Sequence, residues 1–70
     1  MAKRVWMHVD QDGPVTRADG SPDWYGELRD REGCSQFSCS GPSEEAVKGR
    51  LSEVASRNGF DVAGYTADLP

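Results

Sequence analysis

Gly41-Pro42-Ser43-Glu44-Glu45-Ala46 is the one place in the chain where the hydrophobic rhythm changes from the period of a strand to that of a helix. Ser43 has the hydroxyl of an N-cap, and Glu44 and Glu45 set negative charge against the positive end of the helix dipole. Downstream, Val47, Leu51, Val54 and Ala55 follow the i, i+4, i+7, i+8 spacing of a single apolar stripe, so one face of the helix must be buried. Glu44 with Lys48 and Glu53 with Arg57 are i, i+4 ion pairs, and Arg57 stands at the negative end of the dipole. Asn58-Gly59 supplies the left-handed residue that ends a helix, and Phe60 can then fold back on the last turn.

Upstream of that stretch the period is two. Val5, Met7 and Val9 alternate with Trp6 and His8 in a first strand. Asp10 to Asp23 contains Asp-Gly, Gly-Pro, Asp-Gly and Ser-Pro, which predicts a connection longer than most hairpin loops, either mobile or functional. Trp24 to Arg29 is a second strand, Asp30-Arg31-Glu32-Gly33 a short turn, and Cys34 to Ser40 a third strand antiparallel to the second. Phe60 and Val62 open a fourth strand that ends near Tyr65, and a frayed tail is expected from Ala67 to Pro70.

The expected fold class is α+β: a small antiparallel-rich sheet in the order β-β-β-α-β, with one amphipathic helix packed on one face. Alternation assigns Val5, Met7, Val9, Trp24, Leu28, Phe37, Phe60 and Val62 to the helix side. Arg4, Trp6, His8, Tyr25, Glu27, Arg29 and Gln36 fall on the other side, which a single helix leaves uncovered. Large aromatics among charges on an uncovered sheet are the composition of a binding or dimer face. Arg4, Trp6, His8, Tyr25, Arg29 and Gln36 are therefore the candidate partner-binding residues. A second reading stays open, in which Trp6 and Tyr25 form cross-strand contacts worth about 0.2 to 1 kcal/mol to the sheet with no ligand involved.

The 70 residues make one small domain, a size at which burial and an ordering cost of about 1.5 kcal/mol per residue nearly cancel. Apolar residues make up 36% and charged residues 29%, a globular composition, but few Ile or Leu are available for a core that a partner could help to complete. Eight basic against 12 acidic side chains give a net charge of -4, which disfavours nucleic acid and suits a basic partner. The first apolar run, Val5 to Val9, is too short for a signal-peptide core or a membrane span, so a cytoplasmic protein without membrane contact is expected. Cys34 and Cys39 are then expected as thiols. Along one extended strand they stand too far apart for a disulfide, whereas a hairpin between them could join them.

His8, Cys34 and Cys39 are the only soft metal ligands, short of the four that a closed zinc site needs, and no metal or other cofactor is expected. Asp10-Gln11-Asp12-Gly13 resembles the start of a calcium loop, but Val15 and Ser21 stand where that loop requires Gly and Glu. A domain of this size has little room for a pocket beside its core, and no catalytic residues are assigned: a non-enzyme is expected. Gly26 inside a strand permits a bulge or close packing. Gly49 lies opposite the apolar stripe, where it either reflects drift or admits something close to the helix.

Trp24-Tyr25-Gly26-Glu27-Leu28-Arg29-Asp30-Arg31-Glu32-Gly33-Cys34, followed by Ser43-Glu44-Glu45-Ala46, resembles the short HicB-type antitoxins over about half the chain. In them a strand leads through an Asp-containing turn to Gly-Cys and then to a Thr-capped Glu-Glu-Ala helix. The resemblance implies an acidic, cytosolic, non-enzymatic protein that blocks a small basic ribonuclease toxin, and Asp30, Gly33, Cys34, Ser43, Glu44, Glu45 and Ala46 are the matching positions. The prolines that flank the family's turn are missing, the segment from Cys34 to Glu44 is longer, and Pro42 stands at a usually acidic position. A second resemblance is to the arm-binding domains of phage-type integrases, three strands and a helix with a Trp- and Tyr-bearing strand before a Gly turn. That family implies nucleic-acid binding, but its helix cap is usually basic, and here only Lys3, Arg4, Arg29 and Arg31 lie near the sheet. The expectation is a protein-binding module, antitoxin-like in its sharpest form, that works through its open sheet face or an edge strand on another, basic protein or on a second copy of itself. A nucleic-acid-binding domain of integrase-arm type and a phage or bacterial accessory homodimer are the alternatives.

Overall fold

A computed structural model describes residues 2–16, 18–20 and 22–68 and shows an α+β domain. Strands β1 (Arg4–Thr16), β2 (Pro22–Arg29) and β3 (Ser35–Gly41) precede helix α1 (Glu44–Arg57), strand β4 (Asp61–Tyr65) and a single 3₁₀ turn at Thr66–Asp68. The sheet has the order β3-β2-β1-β4. β1, β2 and β3 are antiparallel neighbours, while β4 returns beside β1 and parallel to it. A β-strand that leaves a sheet edge through a helix and re-enters parallel needs such a crossover. Among the described residues no helix is long and apolar enough to cross a membrane.

Two expectations are corrected. The segment from Asp10 to Asp23 is not one long loop, because the β1–β2 ladder continues through Asp10↔Tyr25, Gln11↔Trp24, Asp12↔Asp23 and, after an irregularity, Thr16↔Pro22. The Gly and Pro of this segment signalled turns, but cross-strand pairing overrides them until the tip. Nor does a frayed tail begin at Ala67, since Ala67 and Asp68 lie in the 3₁₀ turn; Leu69 and Pro70 lie outside the described residues. The 13 residues of β1, at about 3.3 Å each, match the 42 Å long axis of the molecule. The 14-residue helix is only about 21 Å long. Past the rung Gln11–Trp24–Gly41 the sheet therefore narrows to β1 and β2 alone.

The helix has the termini its sequence predicts. Ser43 Oγ accepts the Ala46 N–H at 3.1 Å, and at the other end the Phe60 N–H reaches Ala55 O (2.8 Å) and the Gly59 N–H reaches Ser56 O (3.3 Å). That pair of bonds is the Schellman closure, and Gly59 takes the left-handed conformation it requires, at φ 69°. Both i, i+4 ion pairs form, Glu44–Lys48 and Glu53–Arg57, each at 2.6 Å. The β2–β3 turn is closed by Asp30, whose Oδ1 accepts the N–H groups of Glu32 (3.0 Å) and Cys34 (2.9 Å).

The core is six side chains, Val5, Met7 and Leu28 from the sheet and Val47, Leu51 and Ala55 from the helix, with Val9, Trp24, Phe37, Cys39, Val54 and Phe60 packed against them. Gly26 is the hinge of this packing. A Cβ there would stand 2.3 Å from Val47 Cγ1 and 2.9 Å from Leu51 Cδ1, so close packing is the reason for glycine in the middle of β2. Val62 pairs with Val5 and so shares the helix side, yet it remains 38% exposed. The physical reason is that α1 packs chiefly on β2 and β3 and barely reaches the edge strand β4. Nothing described comes within 4 Å of a Cβ built on Gly49, so no neighbour explains that glycine.

Candidate functional site

The face opposite α1 is built in rungs. Arg29 stands across from Trp6, Glu27 from His8, and Tyr25 from Asp10, with Ser38 and Ser40 flanking Glu27 and Tyr25 on β3. Arg4 continues the same side of β1 by alternation, where it pairs with Asp61 across the β1–β4 seam at 3.6 Å. Trp6, His8 and Tyr25 are all half-buried. The Trp6 ring extends towards β4, its Cδ1 4.0 Å from where a Cβ on Gly64 would stand, which the missing side chain allows.

Trp6 and Tyr25 are not a cross-strand pair. They lie on separate rungs, with residues 6 and 10 about 13 Å apart along β1, and the His8–Glu27 rung lies between them. Contact between the two rings therefore does not account for their presence. The rung that separates them is polar and closely held. Glu27 is only 6% exposed on a face without a covering layer, because Arg29 folds over it through Nε and Nη2. Burial pushes the Glu27 carboxyl up, but hydrogen bonds from Arg29, Ser35 and Tyr25 outweigh it and hold the group below the usual glutamate range. The same contact acts in reverse on Tyr25, whose hydroxyl is pushed up by burial and by its bond to the Glu27 carboxylate. His8 Nδ1 meets Thr66 Oγ1 at 3.2 Å, which ties the 3₁₀ turn to the middle of the sheet.

Of the six residues assigned to this face, Trp6, His8, Tyr25 and Arg29 are brought together around Glu27. Arg4 extends the group at one end. Gln36 is set apart by an irregularity in the β2–β3 ladder between Leu28 and Arg29. Its amide donates to Asp30 Oδ2 (3.2 Å) and Cys34 O (3.3 Å), so it serves the turn. The cations at this end of the sheet are largely engaged: Lys3 lies 3.8 Å from Asp30, while Arg4 and Arg29 hold Asp61 and Glu27. Phosphate contacts would have to compete with those carboxylates.

Glu27 as the clamp of the face is legible in the sequence as an i, i+2 carboxylate–guanidinium pair with Arg29 on one side of a strand, although alternation alone assigns it no role. Thr66 had no such signal, being 58 positions from His8. Cys39 packs on the helix side while His8 occupies the opposite face, so those two potential ligands are separated by the sheet. Cys34 is exposed beyond the β2–β3 turn, and both cysteines are free. No family model, curated protein or solved structure matches the chain.

Proposed function

We propose that this chain is a small non-catalytic module that captures another protein through the open face of its sheet. The observation that carries the reading is the spacing of Trp6 and Tyr25, two half-buried rings on separate rungs of a face that no described layer covers, held apart by the fixed Glu27–Arg29 pair. Aromatic anchors on a rigid, already ordered polar frame lose little conformational entropy on binding, which is the arrangement that concentrates affinity in a few residues. Arg4 at the rim and His8 at the centre add polar contacts. The net charge of -4 favours a basic partner, and inhibition of a small basic protein, in the manner of the HicB-type antitoxins that the turn and helix cap resemble, is the sharpest form of this reading. A cytoplasmic setting suits it.

The test is affinity capture from the native host on the immobilised chain, read by quantitative mass spectrometry against the Trp6→Ala/Tyr25→Ala double variant. The reading expects at least one basic protein that the original chain retains and the double variant loses. Identical captured sets would overturn it, and self-association of the original chain in sedimentation velocity, lost in the double variant, would make a second copy the partner.

A further inference from the structure

β4 pairs with β1 only from Arg4 to Met7, whereas β1 continues to Thr16. Among the described residues nothing pairs with that edge of β1 from His8 onward. Backbone amides alternate sides along a strand, and the Lys3 carbonyl already accepts the Asp61 N–H of the β4 side at 2.8 Å. Val9 and Gln11, in phase with Lys3, therefore turn their peptide groups to the same edge beyond the point where β4 stops. The Gln11 N–H finds its acceptor in the neighbouring side chain, Asp10 Oδ1, at 2.8 Å. A cleft of about 440 Å³ opens beside this edge, bounded by β1 from Met7 to Asp10, by Glu44 and Lys48 of the helix, and by Tyr65, Thr66 and Ala67, where β4 runs into the 3₁₀ turn that His8 contacts.

Charge selects among possible occupants. Residues 10–23 carry four carboxylates and one guanidinium, and residues 44–48 at the start of the helix carry two carboxylates and one ammonium. Those two segments hold the whole net charge of -4, and the rest of the chain is balanced. A second copy of β1 laid along this edge would set acidic segments against each other, which is unfavourable.

We infer that the β1 edge from His8 onward accepts an extended, lysine- or arginine-bearing segment of another protein as a fifth strand. This deepens the protein-binding reading above and rests on it. A cation of the incoming strand takes the Asp10 carboxylate, which releases the Gln11 N–H to pair with the backbone of that strand. Without the cation, Asp10 keeps the edge closed, as inward-turned charges do on other sheet edges.

The experiment uses the isotope-labelled full chain and a blocked octapeptide of alternating lysine and valine as probe, followed by amide shifts and hydrogen exchange. Titration to millimolar peptide should shift the amides of Val9 and Gln11 and slow their exchange about tenfold. A glutamate–valine peptide, and a lysine–valine peptide methylated on its backbone nitrogens, should do neither. Asp10→Asn should weaken binding about tenfold, while Gly49→Ala on the open helix surface should leave it unchanged. The location of the shifts, at Val9 and Gln11 or at Trp6 and Tyr25, separates failure of the edge from failure of the face. The inference is overturned if the methylated peptide binds as well, if the shifts centre on Trp6 and Tyr25, if no binding occurs, or if Val9 and Gln11 are protected by self-association.

Discussion

Gly26→Ala tests the packing that positions everything else. The new Cβ would lie 2.3 Å from Val47 Cγ1, 2.9 Å from Leu51 Cδ1 and 3.2 Å from the His8 carbonyl oxygen. Removing a glycine from a strand is worth about 0.5–1 kcal/mol in chain entropy, which opposes the clash. Val47 and Leu51 are 1% and 0% exposed, so neither can swing into solvent, and overpacking of a closed core costs about 1–3 kcal/mol. The clash wins, and each 1 kcal/mol lowers the melting temperature of a domain this size by about 4–8 °C. Circular-dichroism melts should show a fall of about 5–15 °C. Val47→Ala relieves the closest contact, so the double variant should be more stable than the sum of the two single losses by about 1 kcal/mol or more. A Gly26→Ala melt at or above that of the original chain, or strict additivity in the double variant, would refute the close approach of helix and strand.

Gly49→Ala faces open space on the helix surface and should raise the melting temperature, by up to about 1 kcal/mol of stability. Because Glu27 is held below its ordinary range in the folded chain, the unfolded chain takes up its proton first as the pH falls below about 4.3. The stability it contributes is present above that value and lost at lower pH. Urea midpoints should therefore separate the original chain from Glu27→Gln most at neutral pH, with the gap closing as the pH falls through the acid range in which the folded carboxylate takes up its proton. Burial raises the Cys39 thiol and Cys34 is exposed, so thiol titration should find two free groups, one fast and one slow.

The sequence announced its helix unusually clearly because caps, ion pairs and the apolar stripe all act within a few residues of one another. Ser43, Gly59 and the two i, i+4 pairs each do the job their spacing predicts. The two-residue alternation of β1 and β2 likewise placed Val5, Met7 and Leu28 in the core. What the chain concealed depends on long-range partners. The extension of β1 and β2 past Asp10 arises from pairing across a hairpin whose own residues favour turns. The exposure of Val62 follows from where the helix lies over the sheet, and the β3 irregularity at Gln36 from the way Asp30 closes its turn. The residues that carry the antitoxin resemblance, Asp30 and Ser43 among them, close a turn and cap a helix. Such positions report topology and say nothing of a partner, for which the residues proposed above are Trp6, His8 and Tyr25.

The most direct test of the open face sets two losses side by side in Trp6→Ala/Tyr25→Ala: the change in melting temperature and the change in retention of the captured protein. Anchors that folding leaves half-buried contribute more to binding than to folding. The account predicts a melting temperature within a few degrees of the original chain, about 1 kcal/mol of stability or less, together with retention reduced at least tenfold, about 1.4 kcal/mol or more of binding. Loss of cooperative melting with both substitutions would mean that these rings belong to the core, and full retention by a folded double variant would mean that the partner binds elsewhere.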